Sequence, residues 1–235
     1  HVAGRIAIDA RGCGGSADAR LDGSRVALFG HSMGATFAPL ALAFEPKFRA
    51  AILSGMGSSY IANILHKEKP VPVRPLAAML FGYTLRLYGL QQGDPALSMI
   101  QWAMEPADPP VYGAPSAHVL MFQGMVDHYL LPPSANASSL SLGLDLAGDE
   151  LDRGLGYVPF RDVAGFAGRG VARYPVEANA GGRTAAVVQR AGDGIQDGHE
   201  IVFQTEGPKH QYRCFLQSFA RSGSPRIVAP KDVAA

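Results

Sequence analysis

Apolar and polar positions along the chain fall into short runs of two kinds. Residues 5–9, 25–29, 49–54 and 119–123 are apolar and end in glycine, serine or a polar cluster. This is the pattern of strands buried on both faces of a parallel sheet. Residues 35–44 read as a helix that stops before Pro46, because proline removes a backbone donor and disfavours helix in the residue before it. Two further helices are expected at 134–142, after Pro132 and Pro133, and at 211–220. Runs at 184–189 and 200–205 read as strands flanking "RAGDGIQDGH", a long hairpin connection, with the second run as the last strand. Strands alternating with helices predict an α/β fold, a mostly parallel sheet with helices on both faces.

Two segments break this rhythm. Residues 60–117 form an apolar, proline-punctuated insertion, and residues 148–199 a glycine-rich one of poor periodicity. Neither pattern carries a core of its own, so residues 1–235 are expected to form a single domain. The bulk composition agrees: 235 residues, 47% apolar and 17% charged, enough to bury a sizeable core. A net charge of +1 with no long basic run gives no footing for nucleic acid. No stretch of about 20 uncharged apolar residues would span a membrane. Two cysteines, Cys13 and Cys214, define neither a disulfide framework nor a metal site. The chain begins "HVAGRIAIDARG", without methionine and almost directly in a strand-like run, as a processed chain or a fragment would.

Candidate chemistry centres on Gly30-His31-Ser32-Met33-Gly34, a G-x-S-x-G pattern where a strand run gives way to a helix run. In that position a serine can be held in a strained, exposed turn, with small neighbours to avoid strand and helix. The helix N-terminus points backbone donors at a developing oxyanion, the Met33 N–H among them. A plainer reading has two glycines serving a strand–loop–helix turn, with Ser32 capping the helix.

A serine nucleophile needs a base, and the base needs an orienting carboxylate. Asp127 follows the strand run 119–123 by a short turn, which puts it at the same sheet edge as Ser32. Asp145, Asp193 and Asp197 are possible substitutes. Among seven histidines, His210 lies just past the expected last strand and before a helix, where it can reach over Ser32. His199 precedes that strand and is expected at its opposite end. If the sheet instead ends at 184–189, the base comes from the loop after that strand.

The stretches "ALFGHSMGATFAPLALA", "IDARGCGGS", "HVLMFQGMVDHYLLPP" and "EIVFQTEGPKHQYRCFLQSF" together resemble the α/β-hydrolase superfamily of serine esterases and lipases. The resemblance covers most of the chain in blocks, with serine, acid and histidine in the superfamily's order. It implies a carboxylic-ester hydrolase acting through an acyl-enzyme. Its triad would be Ser32, Asp127 and His210, with Gly30 and Gly34 as elbow glycines and Met33 as oxyanion donor. It also implies a small ester or lipid-like substrate and no metal or organic cofactor. Residues 60–117 sit where cap or lid segments enter such folds, and Met79, Leu80, Phe81, Tyr83 and Trp102 would suit an apolar pocket. The second oxyanion donor of the superfamily comes from a strand–loop ahead of the "IDARGCGGS" run. None precedes Arg5, so either the "RGCGGS" loop itself serves or, the favoured expectation, N-terminal strands are missing and the isolated chain is weakly active or inactive.

Three rival readings bear on the same residues. Gly12 to Ala17, "GCGGSA", fits a dinucleotide fingerprint, but only "DARLDGS" separates it from the next strand, too little for the helix that fingerprint requires. Cys13 lacks a histidine or helix start to lower its pKa. A non-catalytic binding protein on the same scaffold is the third, since fold alone does not establish function.

Overall fold

A computed structural model describes residues 7–8, 11, 19–83 and 89–231. Most of the "IDARGCGGS" run, Cys13 and the dinucleotide-like glycines lie outside these described residues. Strands Ala7–Ile8 (β1) and Ala19–Arg20 (β2) pair antiparallel as a two-stranded ribbon. The expected strand at 5–9 is thus corrected: its described part does not join the main sheet.

That sheet has six strands: Val26–His31 (β3), Phe48–Ser54 (β4), His118–Gly124 (β5), Asp145–Ala147 (β6), Val171–Ala172 (β7) and Ala185–Arg190 (β8). Their order is β3-β4-β5-β8-β6-β7, and each pairing is parallel. Side chains alternate across it as the period of two demands. Ala51, Leu53, Val119, Met121, Ala185 and Val187 face one layer, packed on Ala35, Ala38 and Leu42 of helix Met33–Phe44 (α1). Helices Pro132–Ser141 (α5) and Phe160–Ala164 (α6) complete that layer through Ala135, Phe160 and Ala164. Ala50, Ile52, Leu120, Phe122, Ala186 and Val188 face the other way, onto Ile201, Val202, Phe215 and Phe219. These belong to helices Ile201–Gln204 (α7) and Glu206–Ser222 (α8). Residues buried on both faces explain why the central strands read as continuous apolar runs.

The insertion between β4 and β5 is helical: Tyr60–His66 (α2), Val73–Leu80 (α3) and Pro95–Met104 (α4). It holds a small apolar cluster, Ala77, Leu90 and Leu97, against which Ile61, Phe81 and Tyr83 pack. This corrects the expectation that the insertion lacks any core. Met79, Leu80 and Trp102 are exposed. No helix among the described residues is long and apolar enough to cross a membrane.

The expected strand at 200–205 is a helix, and with it the hairpin disappears. A short apolar run is ambiguous between strand and helix, and here the local signals favour helix. Asp197 caps the turn Gly198–Glu200, its side chain accepting from the His199 N–H. Glu200 stands three residues after Asp197, the spacing of a capping box. β8 therefore becomes a central parallel strand, and the chain leaves its carboxyl end directly into the loop that carries His199.

Candidate active site

Three side chains meet at the carboxyl edge of the sheet. Ser32 stands between β3 and α1 with φ 55° and ψ −125°, a left-handed region that costs a non-glycine residue roughly 1–3 kcal/mol. Its N–H donates to the Ser54 carbonyl at 2.9 Å, so the turn is anchored on the neighbouring strand. Its side chain makes no helix-cap hydrogen bond, which sets aside the plain capping role. Instead Ser32 Oγ lies 2.8 Å from Nε2 of His199.

The two elbow glycines are not equivalent. A Cβ on Gly30 would come within 2.8 Å of the Gly34 carbonyl oxygen and 2.9 Å of the Ala35 backbone. On Gly34 it would meet nothing within 4 Å, which corrects the expectation that both flanking positions must be bare. The Met33 side chain is exposed.

His199 is the histidine that the fold brings to Ser32. Its Nδ1 lies 2.9 Å from Asp127 Oδ2, and both residues are almost fully buried. Asp127 Oδ1 accepts from the Tyr129 and Leu130 N–H groups, each at 2.8 Å, so the carboxylate is held by two backbone donors of its own loop. An ionised carboxylate can only accept, so the Nδ1 proton faces Asp127 and Nε2 is free to accept from the Ser32 hydroxyl. Tyr129 stacks on the His199 ring at 4.7 Å between centroids.

His210, the expected base, is not part of this cluster. It lies in α8, where its ring faces Cys214 Sγ one helical turn on, at 3.7 Å. The error follows from the strand assigned to 200–205: with that run helical, the loop after the last sheet strand is 191–197, and it delivers His199.

Close backbone approaches, invisible in the sequence pattern, fix the two loops against each other. A Cβ on Gly124 would sit 1.9 Å from the Gly198 carbonyl oxygen, and one on Gly198 would sit 2.2 Å from that of Met125. Gly55, at φ 56°, leaves space that a Cβ would take from the His199 ring, 2.8 Å away. Such contacts need glycine for space as well as for conformation.

Asp197 ties the same loops electrostatically. Its Oδ1 accepts from the N–H groups of His128 and His199, both at 3.1 Å. Oδ2 lies 2.9 Å from His128 Nδ1 and accepts from Lys69 Nζ at 2.8 Å. Burial by itself would raise this carboxyl, but the Lys69 ammonium, the His199 N–H and His128 together hold it well below the usual carboxylate range. The "DGHE" spacing, Asp197 to Glu200, was the sequence signal for this cap. His31 lies beside this cluster, its Nε2 3.4 Å from Glu200 Oε2 and its ring 5.0 Å from that of His199. Burial, then the nearby His199, push His31 below the ordinary imidazole value.

No protein-family model matches the chain, and no curated protein matches it. Among solved structures it is similar to an acylaminoacyl peptidase of Pyrococcus horikoshii in its orthorhombic crystal form. That match has 16% identity and a TM-score of 0.42, over 91% of this chain and 26% of that one. It is also similar to a puromycin-hydrolyzing peptidase of Mycobacterium tuberculosis, with 19% identity and a TM-score of 0.36, over 57% of this chain and 17% of that one. The chain thus spans 26% or less of the length of these structures. In its own architecture, a parallel sheet turns sharply into a helix at Ser32, and later strand ends supply an aspartate and then a histidine to that serine. A chain built in this way has the α/β-hydrolase fold.

Proposed function

We propose that the chain is a serine hydrolase that cleaves a carboxylic ester through an acyl-enzyme. The observation that carries this reading is the continuous relay from Ser32 Oγ to His199 Nε2 at 2.8 Å and from His199 Nδ1 to Asp127 Oδ2 at 2.9 Å. His199 takes the Ser32 proton as Oγ attacks the acyl carbon, and the imidazolium then protonates the leaving group. Asp127 keeps the ring in the right tautomer and stabilises its positive charge. The Met33 N–H, at the start of α1, donates to the tetrahedral oxyanion. Water, deprotonated by His199, releases the acid and restores Ser32. Residues 60–117 act as a cap whose apolar side chains receive the acyl part. A fluorophosphonate probe should label Ser32, and a p-nitrophenyl ester should be turned over by the protein but not by Ser32→Ala. Labelling that persists in the alanine variant overturns the assignment. Turnover of an anilide in preference to the matching ester moves the reading to an amide hydrolase on the same triad.

A further inference from the structure

We propose that His31, His199 and Glu200 form a binding site for a zinc ion that switches the hydrolase off. One ligand atom from each of the three lies within 4.8 Å of the others. Two imidazoles and one carboxylate are a donor set that zinc takes, with metal–ligand bonds of about 2.0–2.2 Å, so that ligand atoms stand roughly 3.3 Å apart. His31 Nε2 and Glu200 Oε2, at 3.4 Å, already have that spacing. The third ligand must close by about 1.5 Å at most. Glu200, whose side chain is 40% exposed, gives a path for the ion, and the closing on the third ligand follows when the ion releases the His199 ring from Ser32 or Asp127. His199 also brings an outer partner of the kind metal-binding histidines use, a buried carboxylate on its second nitrogen.

Both His199 nitrogens are engaged, one by Ser32 and one by Asp127. An ion on either nitrogen therefore removes the base: at Nε2 it displaces the Ser32 hydroxyl, and at Nδ1 it displaces Asp127. Binding and hydrolysis exclude each other for that reason. The inhibitory half of this proposal rests on the hydrolase reading, whereas metal binding does not.

Calorimetric titration of zinc chloride into the purified Ser32→Ala protein should show a site that Glu200→Gln and His31→Gln each weaken about tenfold or more. In the active protein, zinc should suppress ester turnover and a chelator should restore it. Glu200→Gln should keep the basal rate while raising the half-inhibiting zinc concentration by a similar factor. Zinc that fails to bind Ser32→Ala, or binds it regardless of both substitutions, overturns the site. Zinc that binds at these residues without slowing an active enzyme overturns the switch. A protein that binds zinc but cleaves no ester leaves the site standing and refutes the hydrolase reading instead.

Discussion

Gly124→Ala tests whether the loops carrying Asp127 and His199 are clamped through their backbones. The new Cβ would begin 1.9 Å from the Gly198 carbonyl oxygen and 2.6 Å from its carbonyl carbon. A carbon–oxygen contact needs about 3.3 Å, so these backbones must separate by about 1.4 Å. Neither atom belongs to a flexible side chain, and the displaced carbonyl immediately precedes His199. A shift of that size passed to the ring stretches the 2.8 Å approach to Ser32 beyond hydrogen-bond range. Misplacement on this scale costs about 100-fold in rate, near 2.7 kcal/mol of activation free energy. Overpacking should also lower stability by about 1–3 kcal/mol. The assay is kcat for a p-nitrophenyl ester alongside thermal unfolding, with Gly34→Ala as control for stability. That control meets open space and should leave unfolding unchanged or raise it by up to about 1 kcal/mol. A Gly124→Ala protein that turns over at the parental rate would refute the clamp.

His199→Ala should lower kcat by several orders of magnitude, while His210→Ala, with its ring against Cys214 in α8, should leave the rate near parental. Steady-state kinetics on the two variants decide this, and the reverse result would restore the sequence-based choice of base. Asp127→Asn should lower kcat by about 10⁴-fold through the wrong imidazole tautomer, with the fold retained by circular dichroism. Asp197 is held below its ordinary pKa, so its folded-state contribution is fully present above the unfolded value of about 3.9 and is lost as pH falls below that. Asp197→Asn should therefore cost about 1–3 kcal/mol at neutral pH, a difference that shrinks in chemical denaturation below about pH 4. A difference independent of pH would mean that the carboxylate charge is not what joins the loops.

The sequence by itself determined the layered α/β architecture, because strands buried on both faces must be apolar throughout and the helices between them must be periodic. It also placed Ser32 at a strand-to-helix turn marked by its local glycines, and Asp127 a single short turn after its strand. His199 was decided by tertiary structure. Residues 200–205, "EIVFQT", are too short for periodicity to separate helix from strand, and burial of Ile201 and Val202 against the sheet satisfies either reading. The choice fell to the Asp197 cap and to β8 pairing between β5 and β6, an arrangement of strands distant in sequence. Gly55, Gly124 and Gly198 look like ordinary loop glycines in one dimension. Their necessity comes from backbones and a ring that approach from 73 to 144 residues away along the chain, distances over which local pattern carries no information.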